Sequence, residues 1–124
     1  KEDYENIASK YWPGALTIVI PSSEKHTSSL TSRDLSLGLR IPNSFMAQSL
    51  IKETGPLLTS SANISGFTGS NTAEDIALDF PSVEILGPIP WQKGSGKAST
   101  IISWKKSNKW VLIREGEVLV REVN

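Results

Sequence analysis

The sequence has 124 residues, with 13 basic and 13 acidic side chains and hence a formal net charge of zero. It contains no cysteine and one histidine, which excludes disulfides, a thiol nucleophile and metal sites built from thiolates or several histidines. Balanced charge gives no general attraction to nucleic acid or membrane, so any site for a polyanion must be local.

The length is typical of one domain or a large part of one. No apolar stretch is long enough to cross a bilayer, and no signal-peptide pattern opens the sequence. The chain begins at Lys1, inside a helical pattern, which suggests a fragment, a processed product or an engineered boundary. We therefore expect no membrane partner, and a location in the cytoplasm or in an organelle after removal of a transit peptide.

The first third of the sequence predicts one helix and two strands. Apolar residues at helical spacing over 4–11 predict a helix that the Trp12-Pro13-Gly14 turn ends. A short β-branched run at 15–20 predicts a strand. The polar stretch 22–34, which holds His26, predicts an exposed loop. Strict alternation of apolar residues over 35–41 predicts a second strand.

The middle of the sequence predicts a second helix and a short strand. Asn43 or Ser44 can cap the helix at its start, and Gly55 fits the position just after its end. The apolar run at 56–59 predicts a short strand that leads into a polar loop.

The remaining sequence predicts one more helix and four strands. Asn71 or Thr72 can cap the helix, which carries acidic residues in its first turn and ends at Pro81. Strands are expected at 83–86, 100–103, 110–113 and 118–120. A tight turn at Glu115-Gly116 is expected between the last two strands. Strands mixed with helices in this way predict an α/β fold with a mixed sheet.

The loop at 59–66, Thr-Ser-Ser-Ala-Asn-Ile-Ser-Gly, is the most informative polar segment. Short hydroxyl and amide side chains with exposed backbone N–H groups can hold phosphate or carboxylate oxygens. The same residue types are common in capped surface turns, so both interpretations stay open. The segment Gly-Ser-Gly-Lys at 94–97 does not complete a phosphate-binding loop, because Trp91 and Ala98 stand where glycine and a hydroxyl residue are needed.

Two arginines could recognise an anion. Arg40 lies on the polar side of the predicted strand at 35–41, and Arg114 follows the strand at 110–113. A guanidinium can bind a carboxylate or phosphate through two parallel hydrogen bonds. Either arginine could instead face solvent at an edge of the sheet.

Three lysines, Lys105, Lys106 and Lys109, lie beside two tryptophans and could form a small nucleic-acid patch. The alternative is a solvated hairpin tip.

Five segments, taken together and in this order, resemble the YrdC-like threonylcarbamoyl-AMP synthase family over nearly the whole chain. They are Tyr-Trp-Pro-Gly-Ala-Leu-Thr at 11–17, Gly-Leu-Arg-Ile-Pro at 38–42, Gly-Pro-Leu at 55–57 leading into Ser-Ala-Asn-Ile-Ser-Gly at 61–66, Ser-Thr-Ile-Ile at 99–102, and Leu-Ile-Arg-Glu-Gly at 112–116. The Tyr-Trp-Pro-Gly and Ser-Ala-Asn-x-Ser-Gly elements are the specific ones.

The resemblance implies that residues 1–124 are the C-terminal two-thirds of such a domain, an α/β fold with a twisted, open mixed sheet, flanking helices and a positively charged cavity. Family members condense L-threonine, bicarbonate and ATP into threonylcarbamoyl-adenylate and pyrophosphate, and downstream tRNA-modification proteins carry the group to adenosine 37 of tRNA. The reaction needs positioning and charge neutralisation rather than a protein nucleophile, so no catalytic side chain is expected. Mg²⁺ would accompany ATP through its phosphates, with no metal ligated by the protein.

The resemblance also implies roles for individual residues. Those matching threonine-contacting positions are Arg40, Ser61 and Ser99. Those matching ATP-contacting positions are Ser36, Asn63, Asn71 and Arg114; Asn71 replaces a common threonine.

Two departures from the family pattern bear on activity. The family's Lys-x-Arg element belongs to an N-terminal segment that this sequence lacks, so we expect the chain alone to be inactive. Ala15 replaces a frequent proline, which affects loop stiffness only. Two alternatives stay open: a non-catalytic module of the same fold that binds double-stranded RNA or associates with translation, and a paralogue that makes another carbamoyl-adenylate.

Overall fold

The computed structural model describes residues 1–22, 35–106 and 109–123. The elements in chain order are α1 (Glu2–Tyr11), β1 (Leu16–Pro21), β2 (Ser36–Leu39), α2 (Phe45–Thr54), α3 (Ala73–Asp79), β3 (Thr100–Lys106) and β4 (Lys109–Arg114). The chain forms two compact units. The first unit combines residues 1–55 with residues 97–124, and the second consists of residues 56–96.

A four-stranded mixed sheet forms the centre of the first unit. Its strand order is β2-β1-β3-β4. β1 pairs antiparallel with β2 and parallel with β3, and β3 and β4 form an antiparallel hairpin. The predicted α/β fold with an open mixed sheet is therefore confirmed.

One face of this sheet carries the hydrophobic core. Leu16 and Ile18 of β1 and Ile102 of β3 are at most 2% exposed, and Ile7 of α1 packs against them. Because Leu16 is in register with Thr100 and Ile18 with Ile102, alternate residues of the neighbouring strands point to this face. Burial of each large aliphatic side chain contributes roughly 1.5–3 kcal/mol, so this face fixes the register of β1 and β3.

Aromatic side chains extend the core toward β4. The ring of Tyr4 on α1 meets Trp104 and Trp110 edge to face, with centroids 5.6 and 6.0 Å apart. The indole nitrogen of Trp104 donates to the Asp3 carboxylate at 3.1 Å. Buried indoles find a partner of this kind because an unpaired N–H would be costly. The helix is therefore held to the sheet by apolar packing and by a hydrogen bond.

The opposite side of the sheet is called the second face and is formed by Thr17, Val19, Gly38, Ile101 and Ser103. Thr17 and Val19 alternate with the core residues of β1, and their register partners are Ile101 and Ser103 in β3. Gly38 pairs with Val19, and a Cβ at Gly38 would lie 3.5 Å from the Thr17 methyl carbon. The register therefore gives the second face both apolar and hydroxyl side chains.

The C-terminal segment returns to α1. The Glu122 carboxylate accepts hydrogen bonds from Lys10 Nζ at 2.7 Å and from the Tyr11 hydroxyl at 2.8 Å. Val123 forms an isolated parallel bridge with Trp110. These contacts hold the C-terminal segment against α1 and β4.

Local sequence determines both ends of α2. The Ser44 hydroxyl accepts from the backbone N–H of Ala47 at 3.3 Å, and Gly55 ends the helix with φ of +80°. Positive φ is a conformation that glycine adopts without steric cost. The predicted caps at Ser44 and Gly55 are both confirmed.

The second unit contains α3 and no strand. The Thr72 hydroxyl caps α3 by accepting from Asp75 N at 3.1 Å, which confirms Thr72 rather than Asn71. Ala73 and Ile76 are its buried residues. The predicted strands at 56–59 and 83–86 are wrong. Neither segment has a partner strand for its backbone N–H and C=O groups within this unit, so both remain irregular and exposed.

The predicted strand at 118–120 and the turn before it are also wrong. Val118 bonds through both its N–H and its C=O to the Thr100 hydroxyl, and Glu117 N donates to Ala98 O at 2.9 Å. A side chain of β3 therefore takes the place of a neighbouring strand. Most of the predicted loop at 22–34, including His26, lies outside the described residues. Within the described residues, no helix has the length and apolarity to cross a membrane.

Candidate functional site

Ser99 and Arg114 are joined directly in the first unit. Arg114 Nε and Nη2 both donate to the carbonyl oxygen of Ser99, at 3.1 and 2.8 Å, and Nη2 also donates to Ser99 Oγ at 3.2 Å. Ser99 is 8% exposed, whereas Arg114 is exposed. The guanidinium is thus oriented by the backbone at the start of β3.

These hydrogen bonds from Arg114 to Ser99, called the fork, leave part of the Arg114 guanidinium free for a ligand. A guanidinium has five N–H donors in a fixed plane. Among the described residues, nothing accepts from Nη1 of Arg114. Its two N–H groups can therefore bind one anionic oxygen or two, while the rest of the side chain holds its orientation.

Thr17 completes this cluster from the central strand β1. Its Oγ1 lies 2.9 Å from Ser99 Oγ, and either hydroxyl could be the donor. Thr17 has no predicted role of its own, although it ends the segment 11–17 that carries the family resemblance. Its hydroxyl in an otherwise apolar strand is the feature that could have pointed to it.

Gly116 holds the Arg114 loop against the start of β3. A Cβ at this position would collide with backbone atoms of Ala98, Ser99 and Thr100. Only glycine allows the two segments to approach so closely. Its position two residues after Arg114 explains why the loop can turn back past Ser99.

Arg40 follows β2 and is anchored to the turn after α1. Its Nε donates to the carbonyl oxygen of Gly14 at 2.9 Å, and Gly14 N donates to Ile41 O at 2.8 Å. A Cβ at Gly14 would collide with the carbonyl oxygen of Tyr11, so this turn requires glycine. Both terminal nitrogens of Arg40 have no acceptor among the described residues. The exposed end of the guanidinium can therefore bind a carboxylate.

Ser36 begins β2, is half-buried and pairs in register with Pro21. Gly38 lies two residues after Ser36 on the same side of β2, and it belongs to the second face. By alternation Arg40 follows on this side as well. Four predicted residues of the first unit, Ser36, Arg40, Ser99 and Arg114, thus belong to the second face or to the strand ends beside it.

The other predicted residues lie in the second unit, in one compact loop. Ala62 O accepts from Ser70 N at 2.9 Å, which closes the loop, and Phe67 N donates to Ile64 O at 2.9 Å across a turn. Gly66 occupies this turn with φ of +86°. Gly66 is the third residue of the turn 64–67, and a positive φ at that position favours glycine.

The Asn63 side chain stabilises this loop by hydrogen bonds to its backbone. Its Nδ2 donates to Ile64 O at 3.2 Å and to Phe67 O at 3.3 Å. The remaining hydrogen-bonding atom of the side chain is its carbonyl oxygen, an acceptor. A phosphate oxygen needs a donor, so in this conformation the Asn63 side chain does not offer one to a phosphate.

The backbone of the loop does offer donors. Among the described residues, the N–H groups of residues 61–66 have no acceptor, and the Ser61 hydroxyl has no partner. Successive backbone N–H groups in a turn can bind an anion when they point to the same side. Asn71 is exposed, and its Nδ2 donates to Gly69 O at 3.4 Å. Asn71 therefore also supports the loop locally.

Two further features help to delimit the site. A shallow cavity of about 540 Å³ lies between α1 and the C-terminal segment, and no predicted site residue lines it. Within the described residues, there is no group of three or more histidine, cysteine, aspartate or glutamate side chains that could hold a metal ion.

Comparison with known proteins identifies the family of this chain. The family model named for Sua5, YciO and YrdC, and described as "Telomere recombination", matches residues 1–116. The chain belongs to the Sua5/YciO/YrdC family. The resemblance predicted from the sequence is therefore confirmed.

Similar members of the Sua5/YciO/YrdC family carry a common name. Threonylcarbamoyl-AMP synthase of Bacillus subtilis is 30% identical over 125 residues, covering 98% of this chain and 36% of that protein. The enzyme of the same name from Yersinia pestis is 39% identical over 77 residues, covering 60% of this chain and 40% of that protein. The chain thus spans well under half the length of these relatives.

A solved structure in the Sua5/YciO/YrdC family has the same fold. A variant Sua5 from P. abyssi aligns with a TM-score of 0.83 and 31% identity, over 98% of this chain and 37% of that one. The sheet and helices described above are therefore those of the family.

Proposed function

We propose that this chain is part of a threonylcarbamoyl-AMP synthase, which condenses L-threonine, bicarbonate and ATP into threonylcarbamoyl-adenylate and pyrophosphate. The names of the relatives in Bacillus subtilis and Yersinia pestis support this activity. The product would pass to proteins that modify adenosine 37 of tRNA, in the cytoplasm.

The hydrogen-bonded pair of Ser99 and Arg114 carries the proposal. Ser99 matches a threonine-contacting position and Arg114 an ATP-contacting position, and the two side chains lie 3.2 Å apart through Nη2 and Oγ. A reaction that joins an amino-acid derivative to the α-phosphate requires both substrates to meet at one place. Ser99 and Arg114 would provide such a place, because each would contact one of the two substrates.

The chemistry needs no protein nucleophile. The threonine amine attacks CO₂ derived from bicarbonate and loses a proton, which gives a carbamate. A carbamate oxygen then attacks the α-phosphorus of ATP, and the bond to the pyrophosphate leaving group breaks. Mg²⁺ would enter with ATP, bound to its phosphate oxygens.

The residues of the first unit would orient the substrates and balance their charge. The free end of Arg40 would hold the threonine carboxylate, and Nη1 of Arg114 would bind an oxygen of the nucleotide phosphates. Ser36 would contact the nucleotide from β2. Because Arg40 and Arg114 are each anchored by a backbone carbonyl, little conformational freedom is lost when a ligand binds.

The residues of the second unit keep the contacts that the family resemblance implies, Ser61 with threonine and Asn63 and Asn71 with ATP. The unpaired N–H groups of its loop and the Ser61 hydroxyl suit phosphate or carboxylate oxygens, while Asn63 and Asn71 would maintain the shape of the loop. Asn63 would meet ATP through its carbonyl oxygen, which can accept from a ribose hydroxyl or an amino group.

Pyrophosphate release tests the proposal. We expect the product of the whole reading frame to release pyrophosphate only when threonine, bicarbonate and ATP are all present. Failure of this protein to do so would overturn the proposed function.

The 124-residue chain alone should release no pyrophosphate. It should bind ATP about tenfold to a hundredfold more weakly than the whole protein, because it lacks the charge-assisted hydrogen bonds of the Lys-x-Arg element. Release by the short chain would overturn only the expected inactivity of that chain.

A further inference from the structure

Thr17 has a hydroxyl in the candidate site that neither the family comparison nor the predicted substrate contacts use. Its Oγ1 lies 2.9 Å from Ser99 Oγ, next to the atom at which Arg114 Nη2 donates at 3.2 Å. Among the described residues, Ser99 Oγ is the only partner of this hydroxyl.

The side chain of Thr17 has little freedom to turn away. Its methyl carbon faces β2, 3.5 Å from the place where a Cβ of Gly38 would lie, and its hydroxyl faces β3. A β-branched side chain in a strand has few accessible rotamers. The neighbouring strands therefore fix which way the hydroxyl points.

The hydrogen-bond capacity of Ser99 then determines what a ligand can receive. A serine hydroxyl has one proton and two lone pairs. One lone pair accepts from Arg114 Nη2. If Thr17 donates to the other lone pair, the proton of Ser99 is left to point at a ligand oxygen. An anionic oxygen beside Ser99 needs that proton, and so requires Thr17 to be the donor.

We infer that Thr17 is a positioning residue that aims the Ser99 hydroxyl proton at an anionic oxygen of the amino-acid substrate. The inference rests on the proposed function, because the substrate oxygen is that of threonine or its carbamate. Ser99 is only 8% exposed, so water cannot readily replace a missing partner. Thr17 thus stabilises the liganded state of Ser99 without touching the substrate.

Three variants test this in the product of the whole reading frame. Thr17→Val keeps the shape and removes the hydroxyl, Thr17→Ser keeps the hydroxyl, and Thr54→Val makes the same change at the exposed end of α2. We expect Thr17→Val to raise the KM for threonine roughly three- to tenfold, since one hydrogen bond is removed, with the KM for ATP little changed. Thr54→Val should keep the original KM values. Thr17→Ser keeps the hydroxyl but loses the methyl group that limits its rotamers, so it should raise the KM for threonine less than Thr17→Val does.

A double-mutant cycle separates positioning from a general structural role. In a Ser99→Ala background, Thr17→Val should have no further effect on the KM for threonine, because the hydroxyl that it aims is gone. An equal effect in both backgrounds, an equal rise in both KM values, or no effect of Thr17→Val would overturn the inference. A Thr17→Ser protein with the same raised KM for threonine as Thr17→Val would also overturn it. A wild-type protein that releases no pyrophosphate would instead overturn the proposed function, and this inference with it.

Discussion

Gly116 and Gly14 are the two glycines whose missing side chains the candidate site requires. At each position a Cβ would collide with main-chain atoms, of residues 98–100 for Gly116 and of Tyr11 for Gly14. Backbone cannot move aside as a flexible side chain can. Arg114 and Arg40, which lie next to these glycines, are the two arginines that the sequence singles out.

We predict that Gly116→Ala destabilises the protein by about 1–3 kcal/mol, the usual cost of forcing extra atoms into a packed site. It should also displace Ser99 and so reduce threonine-dependent pyrophosphate release. Urea unfolding measures the first effect. Gly94→Ala is the matched control, because a Cβ there would meet nothing within 4 Å, and its effect should stay within about 0.5 kcal/mol. Equal stability of the two variants would contradict the prediction.

The two arginines should respond differently to substitution. Arg40→Ala should weaken threonine binding alone, because its free end would bind the carboxylate. Arg114→Lys keeps the charge but cannot form the fork on Ser99, so it should weaken the binding of both ATP and threonine, by about tenfold for each charge-assisted hydrogen bond that it removes. Titration calorimetry with each ligand distinguishes the two patterns. An Arg114→Lys protein with weakened ATP binding alone would show that the fork does not support Ser99.

At the scale of elements, the C-terminal segment is tied to α1 by one charged contact. The hydrogen bond from Lys10 lowers the pKa of the Glu122 carboxyl below its ordinary value, with a smaller contribution from the Tyr11 hydroxyl, and partial burial opposes both. A carboxyl with a depressed folded-state pKa stabilises the fold above its unfolded pKa of about 4.3. That stabilisation is lost as the pH falls through the folded-state pKa.

We predict that Glu122→Gln lowers the free energy of unfolding at pH 7 and that the difference from wild type shrinks as the pH falls below about 4.3. Denaturant titrations at a series of pH values measure it. Glu84→Gln, an exposed change in the second unit, should show no such dependence. A difference that stayed constant down to acid pH would mean that the ionised form of Glu122 does not matter.

The β3–β4 hairpin carries three exposed lysines, Lys105, Lys106 and Lys109, with Lys106 and Lys109 opposite each other. We expect this end of the hairpin to be solvated, so replacing all three with serine should change RNA affinity little. A true phosphate-binding patch would lose roughly two to three units of log–log salt slope. Fluorescence anisotropy at two salt concentrations measures that slope. Micromolar RNA binding at physiological salt that disappears with the lysines would favour the RNA-binding alternative.

Elements with local signals were predictable from the sequence, and those with distant partners were not. Helix α2 was predictable because Ser44 and Gly55 supply its cap and its end within the element. The segment around Val118 looks like a strand, but its partner is the hydroxyl of Thr100, eighteen residues earlier in the chain. No short-range pattern reveals such a contact.

The same distinction applies to the candidate site. Arg40 and Arg114 could be selected because each is a cation on the polar side, or just after the end, of a predicted strand. The attachment of Arg114 to Ser99 depends on the hairpin register, which shifts between Ile101 and Ile102. A one-residue shift is invisible in the sequence and decides which side chains meet.

At the scale of the whole molecule, the two units differ in how they are stabilised. The first contains the sheet and its core, whereas the buried apolar residues of the second are Ala73 and Ile76. Both units leave large apolar side chains exposed. The exposed large apolar side chains of the second unit are Leu57, Leu58, Ile64, Phe67, Leu78, Val83, Leu86 and Ile89. Regions with few buried contacts open at low free-energy cost.

We predict that amides of β1 and β3 exchange hydrogen slowest and that those of residues 61–66 exchange fastest, because the latter have no acceptor among the described residues. Hydrogen exchange followed by NMR or mass spectrometry measures this. Saturating ATP and threonine should slow the 61–66 amides if the loop holds an anion. Protection of these amides without ligand equal to that of β3 would contradict the prediction.

The parallel pairing of β1 with β3 has a consequence for the order of events during synthesis. Leu16 meets Thr100, and the whole second unit is encoded between them. Of the two strands that pair with β1 among the described residues, β2 is therefore synthesised long before β3. Contacts between such distant parts of a chain form slowly and leave apolar edges exposed in the meantime. The nascent protein must complete residues 56–96 before its central strand can acquire its second neighbour, and chaperone binding should be strongest in that interval.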